Sequence, residues 1–327
     1  MAAAPQLDAA RIGRAVHAGI RECATTLRAD ALEAVRAAWL AARQADPDSR
    51  ETAVLHAIVE NALIGERDQV PICQDTGTVW VCLEVGEQAC LPAGALSLVD
   101  DAVARAYEEG GLRMSVVRDA LFDRANTQNN TPAFCEVRIV GGAGVRVRVM
   151  LKGGGSDNAS RVVMLSPDEG AAGVRRVVLD CVREKAANAC PPLIIGVGVG
   201  GTFDKVAAMA KHALLREVGS PAASDQAAAF ERELLDAVNA TGIGPGALGG
   251  SCTALAVHLE TAPCHIAALP VAVNMGCCAM RSATIELIAP DGTVLEQPAA
   301  QTWEGDDEML RRLAAQEEAA RGKGGAR

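Results

Sequence analysis

From residue 8 to about residue 68 the apolar positions return every three or four residues, as in Ala31, Leu32, Val35, Ala38 and Trp39, which predicts two or three helices. The period then changes. Val79 to Val85 reads as a strand, Ala95 to Glu109 as a helix stopped by Gly110-Gly111, and residues 126–131, which hold no apolar side chain, as a loop. Ala133 to Val140 and Val145 to Leu151 are two further strands joined by Gly141-Gly142-Ala143-Gly144. Along Val145-Arg146-Val147-Arg148-Val149 the alternation places valine on one face and arginine on the other, the pattern of a sheet with a solvated cationic face. A helix over residues 168 to about 189 stops at Cys190-Pro191-Pro192, because the residue before a proline is driven out of helical conformation. A short strand Leu193–Ile195, a glycine run over 196–201, helices from Thr202 to about Arg216 and from Asp225 to Asn239, and strands Thr253–Glu260 and Ala268–Asn274 complete the pattern. It predicts a mixed α/β fold. A helical N-terminal part (1–68) leads into a region of sheets with packed helices (69–295), followed by a polar tail (296–327).

Composition narrows the function classes. Half of the 327 residues are hydrophobic but only 2% are aromatic, so the core has to be built from Ala, Val and Leu. A net charge of −10 argues against nucleic acid and anionic membrane surfaces as partners. No stretch approaches the ~20 apolar residues of a membrane span, and the N-terminus lacks the basic and apolar regions of a signal peptide, so the chain reads as cytoplasmic. Eleven cysteines, an odd number scattered along the chain, favour free thiols or metal ligands over a disulfide framework.

Several stretches carry candidate chemistry. In Pro71-Ile72-Cys73-Gln74-Asp75-Thr76-Gly77-Thr78 a thiol, an amide, a carboxylate and a hydroxyl share a turn that opens onto a strand. The same octapeptide is also consistent with a buried structural cysteine followed by an Asp-Thr-Gly turn. Lys152-Gly153-Gly154-Gly155-Ser156 leaves a strand with three glycines, whose N–H groups suit an anion-binding nest or a plain connector. Gly196-Val197-Gly198-Val199-Gly200-Gly201 matches the dinucleotide fingerprint in form. The ribose-binding acid expected ~20 residues beyond it is poorly supplied, since Glu217 comes early and Asp225 follows Ser220-Pro221. Cys252, Cys264, His265, Cys277 and Cys278 fit no common zinc spacing. His17, His56 and His258 read as packing or surface residues.

Four of these stretches occur together and in order: Cys73-Gln74-Asp75-Thr76-Gly77-Thr78, Lys152-Gly153-Gly154-Gly155-Ser156, Ala189-Cys190-Pro191-Pro192, and Gly276-Cys277-Cys278-Ala279-Met280-Arg281. In this the chain resembles the class I fumarase and L-tartrate dehydratase family of iron-sulfur hydro-lyases, over roughly residues 12–290. The resemblance implies that Cys73, Cys190 and Cys277 hold a [4Fe-4S] cluster whose remaining iron acts as a Lewis acid. Cys278 stands where an aromatic residue is expected, which keeps both neighbouring thiols open as the third ligand. By the same resemblance Gln74, Arg113, the glycines 153, 154 and 155, and His265 contact substrate, and Asp75 orients or helps to activate a base, a threonine on another part of the enzyme. The family's C-terminal portion has no counterpart here. The chain is therefore expected to be an alpha subunit that pairs with a beta subunit carrying the C-terminal catalytic half, as an α2β2 assembly. The implied reaction is reversible hydration of a small trans dicarboxylate, first fumarate to L-malate, with L(+)-tartrate dehydratase or mesaconate hydratase as alternatives. More distant readings are a nicotinamide-dependent dehydrogenase using Gly196–Gly201 and a non-enzymatic metal or cluster protein such as a sensor.

Overall fold

A computed structural model of the chain describes residues 7–295; the polar tail expected at 296–327 lies outside the described residues. The N-terminal part forms three helices, α1 (Ala9–Thr25), α2 (Ala29–Ala45) and α3 (Arg50–Asp68). Each begins or packs for a local reason. The Asp8 carboxylate caps α1 by accepting from the Arg11 N–H at 2.6 Å, and Ile12, Val16, Ile20 and Cys23 line its buried face. Ser49 caps α3 by accepting from the Thr52 N–H at 3.1 Å.

The remaining elements are β1 (Thr78–Gly86), α4 (Val99–Glu109), β2 (Phe134–Val140), β3 (Val145–Lys152), the short α5 (Gly154–Asn158), β4 (Arg161–Leu165), α6 (Gly170–Lys185), β5 (Leu193–Gly201), α7 (Phe203–Ala213), α8 (Asp225–Asn239), β6 (Ala254–Cys264), β7 (Leu269–Gly276) and β8 (Arg281–Ile288). They build two four-stranded sheets, ordered β2-β1-β3-β8 and β4-β7-β5-β6. Only β1/β2 and β5/β6 are parallel pairs. The first sheet buries Val79, Val81, Leu83 and Val147 under α1 and α4, and the second buries Leu193, Ile195 and Val197 under α6 and α8. Between the sheets a third cluster joins Trp80, Cys82 and Met150 to Ile194, Ala256, Leu214 and the α2–α3 pair.

The glycine run is not a loop. Residues 196–201 continue β5, and a Cβ at Gly196 would stand 2.0 Å from the Ala210 carbonyl oxygen of α7, one at Gly198 2.4 Å from that of Val206. These glycines serve helix-on-strand packing, which leaves no free turn at 196–198 to cradle a pyrophosphate and removes the physical basis of the dinucleotide reading. The Val145–Val149 alternation does form a strand, but its cationic face is not simply solvated. Arg146 and Arg148 turn toward buried Glu84 of β1, which burial alone would raise and which the Arg148 and Arg146 guanidiniums hold below the ordinary carboxylate range.

His258, on β6, is packed as the sequence pattern predicts: it is 2% exposed and its Nδ1–H donates to the Ala213 carbonyl at 3.1 Å. Burial lowers its pKa from 6.5 to about 4. Between those values the unfolded chain takes up a proton that the folded chain refuses, so stability contributed by neutral His258 is lost as pH falls, by up to roughly 3 kcal/mol. Denaturant melts from pH 7 to 4 are expected to show this acid loss, and His258→Gln is expected to flatten it. An unchanged slope in the variant would contradict the assignment.

Candidate active site

Topology brings the cysteine loops to one edge of the two sheets. Cys73 enters β1, and the glycine loop leaves β3, whose Lys152 pairs with Thr78 at the start of β1. Cys190 enters β5 and Cys277 leaves β7, with Ile194 opposite Gly276. The Cys278 N–H donates to the Cys190 carbonyl at 2.9 Å, fixing the second and third loops together. Cys190 adopts a left-handed conformation (φ 54°), which turns the chain sharply between helix and strand. All eleven cysteines are free thiols.

The thiols feel one another. Burial raises Cys190 above the ordinary thiol value, and Cys277, Cys73 and Asp75 raise it further. Burial raises Cys278 strongly, followed by Cys277, Cys190 and Cys73. Cys190 and Cys278 thus lie within electrostatic reach of Cys73 and Cys277.

The loop carrying Cys73 is braced from behind. The Tyr107 hydroxyl donates to the Thr76 and Gly77 carbonyls at 3.0 Å, the Asn130 amide donates to Gly77 at 3.1 Å, and the Thr76 hydroxyl donates to the Arg113 carbonyl at 2.6 Å. Arg113 is thereby anchored at its backbone beside the loop while its side chain is exposed. Asp75 accepts from Gly77 N–H at 3.1 Å through Oδ1 and from Gly154 N–H at 2.8 Å through Oδ2. Gln74 is exposed, and its Oε1 lies 3.6 Å from the Cys73 Sγ.

Two expectations change in this frame. The glycine loop is not an open nest, because the Gly154 N–H is already given to Asp75 and residues 154–158 form a helical turn. Its glycines permit close packing: a Cβ at Gly155 would stand 2.6 Å from the Asn188 carbonyl, two residues before Cys190, and one at Gly153 would stand 3.2 Å from Asp75 Oδ2. The structure does not bring His265 to the cysteines of its own chain. It lies in the β6–β7 turn, at the opposite end of β7 from Cys277, with its Nδ1 accepting from the Ala267 N–H at 3.1 Å and its ring on the rim of an apolar pocket of about 420 Å³.

Two buried cations beside the loops were not singled out from the sequence. Lys152, 3% exposed, donates through Nζ to the Met275 carbonyl at 2.5 Å and the Ser156 hydroxyl at 3.1 Å, and Ser156 in turn donates to Gly153 at 3.1 Å. Burial lowers its pKa to about 8. Arg281, 1% exposed, places Nη2 3.4 Å from the point where a Gly153 Cβ would stand, and its Nε and Nη1 meet no hydrogen-bond acceptor among the described residues. Arg281 follows Cys277 by four positions, so its place in the motif was visible; its burial was not.

A second group, Cys82, Glu136 and His212, brings a thiol, a carboxylate and an imidazole within 4.8 Å of one another beside a cavity of about 610 Å³ between β1, β2 and α7. Hydrogen bonding argues against a metal there. The His212 Nδ1 lies 3.0 Å from Nη1 of Arg138, which can only donate, so Nδ1 is the bare nitrogen and Nε2 carries the proton given to Glu136 at 3.0 Å. That tautomer offers a cation no imidazole lone pair, and burial together with Glu136 and Glu84 pushes the Cys82 thiol up to about 12. His212, bonded to Glu136 and Arg138 of β2, braces α7 against the first sheet.

Comparison with known proteins agrees with the geometry. The sequence matches the family described as Fumarate hydratase (Fumerase) over residues 14–286. A provisionally named L(+)-tartrate dehydratase subunit alpha from Methanocaldococcus jannaschii is 36% identical over 269 residues, covering 80% of this chain and 93% of that protein. The L(+)-tartrate dehydratase subunit alpha of Escherichia coli strain UTI89 is 32% identical over 251 residues, covering 76% of this chain and 82% of that protein. With three cysteine loops meeting at one edge of its paired sheets and this match along most of its length, the chain belongs to the fumarate hydratase family of hydro-lyases.

Proposed function

We propose that this chain is the alpha subunit of a two-subunit iron-sulfur hydro-lyase that interconverts fumarate and L-malate. The observation that carries the reading is the meeting of the loops that bear Cys73, Cys190 and Cys277, tied by the Cys278–Cys190 backbone hydrogen bond and carrying free thiols, in a chain of this family. A cluster with one open iron needs three soft thiolates and no disulfide, and this donor set fits. Cys73, Cys190 and Cys277 would hold it. When bound, the group supplies a Lewis acid for the departing hydroxyl.

The chain's own residues orient and bind. Asp75 has both oxygens engaged by backbone N–H groups, which fixes it as an immobile acceptor that positions its surroundings instead of travelling to a substrate carbon. Gln74 supplies an amide and Arg113 a planar guanidinium suited to a carboxylate. The base that removes the carbon-bound proton comes from a beta subunit, as the alpha designation of the relatives supports. His265, on the far turn, serves a site assembled with another copy, consistent with an α2β2 complex. A second reading, dehydration of L(+)-tartrate, is favoured by the names of the same relatives.

The test is anaerobic reconstitution with iron and sulfide, with and without a candidate beta subunit, followed by assays on fumarate, mesaconate and L(+)-tartrate. Fumarate consumption that needs both subunits is the expected result. Turnover of tartrate alone would move the substrate assignment, and full activity of the single chain would overturn the split enzyme.

A further inference from the structure

The cysteine site is built over two positive charges that the reaction scheme above does not use. Lys152 ends β3 and Arg281 begins β8, at the edge where the cysteine loops gather. Lys152 links these loops directly: its ammonium bonds the carbonyl of Met275, two residues before Cys277, and the hydroxyl of Ser156, which holds the glycine loop. Asp157, 3.7 Å away, is its one carboxylate neighbour among the described ion pairs and is half exposed. Arg281 is more extreme. Its side chain is fully buried, two of its nitrogens lack an acceptor among the described residues, and the third faces the Gly153 backbone beside Asp75. A buried guanidinium with unmatched N–H groups is destabilising unless negative charge is placed near it. Among the described residues Asp75 stands beside Arg281 and half-exposed Asp157 beside Lys152, and thiols, which must be deprotonated to hold metal, would add negative charge at the same edge.

We propose that Lys152 and Arg281 form a cationic floor beneath the cysteine loops that offsets the charge of the metal-bound thiolates, acting as positioning residues and not as substrate ligands. The inference rests on the reading that Cys73, Cys190 and Cys277 hold an iron-sulfur group. It predicts opposite signs for the two states of the protein. Without metal, an uncompensated buried cation is a liability, so replacing it with an apolar side chain of similar size is neutral or stabilising. With metal, the same replacement leaves thiolate charge unbalanced.

The experiment compares the full-length chain with Arg281→Met and Lys152→Met. Before reconstitution, the thermal midpoint of Arg281→Met is expected to equal or exceed that of wild type. After anaerobic reconstitution, both variants are expected to lose iron to a chelator about 10- to 100-fold more readily. Their reduction potential is expected to fall, because removing a nearby cation disfavours the added electron. Variants that retain iron as tightly as wild type at an unchanged potential would overturn the floor. So would an Arg281→Met chain that fails to fold or melts earlier before reconstitution, since that is the signature of a merely structural arginine. Failure of the underlying reading is separately visible, as a wild-type chain that takes up no iron at all.

Discussion

Cys190→Ser is expected to abolish both iron incorporation and hydratase activity while leaving the fold intact. Cys190 is exposed, lies in a left-handed turn between helix and strand, and contributes its carbonyl but not its thiol to the internal hydrogen bond with the Cys278 N–H. Serine preserves the backbone role and removes only the sulfur. A hard hydroxyl is a poor substitute for a soft thiolate toward iron, so the loss should exceed the roughly 100-fold that removal of an outer-shell partner brings. The measurement is iron and sulfide per chain after anaerobic reconstitution, where about four irons are expected for the wild type. Cys181→Ser is the control, because that thiol is buried in α6, donates to the Ala159 carbonyl and belongs to none of the cysteine motifs. Equal iron in Cys190→Ser and wild type would remove the three-thiolate assignment.

Gly196→Ala should unfold the second sheet's helical cover. A methyl group there would stand 2.0 Å from the Ala210 carbonyl oxygen and 3.2 Å from Leu214 Cγ, and the first of these atoms is backbone that no rotamer change can move. Relief requires α7 to lift from β5. That would also strain His258, bonded to the Ala213 carbonyl, and His212, stacked edge-on to Trp80 at 5.2 Å. A destabilisation of at least about 3 kcal/mol is expected, at the upper end for overpacking by a single methyl group. Gly141→Ala, with nothing near its added carbon, serves as the control and should cost little. A Gly196→Ala chain with a wild-type denaturation midpoint would show that the helix is not so closely seated.

Much of the fold was legible because its signals are local. Asp8 and Ser49 cap helices where the apolar period begins, the valine-arginine alternation of β3 marks a strand, and Pro191 closes the helical pattern before Cys190. What escaped was non-local. β5 reads as a loop beyond Ile195 because glycines carry no side chain to show alternation, and its strand is imposed by pairing with β6 and β7. β4 and β8 were missed too: β4 is five residues long at a sheet edge, and β8 starts with an arginine that sequence reasoning places at the surface. The cysteine motifs could be picked out by their local residues and not by spacing, since Cys73 precedes β1 in one sheet while Cys190 and Cys277 flank the antiparallel β5/β7 pair of the other. His265 shows the converse. The family resemblance assigns it to substrate, and within one chain β7 lies between it and Cys277.

The interleaving of the two sheets has a consequence for synthesis. β1, β2 and β3 leave the ribosome early, yet their sheet is completed only by β8, which follows every strand of the second sheet. The second sheet is thus an insertion that can assemble while the β3 edge of the first still waits for its partner. Such long-range closure is slow, and it leaves an unpaired edge open to other chains in the meantime. Arg281 arrives with β8, so the cysteine loops gain their full setting only after every strand of the second sheet has been made.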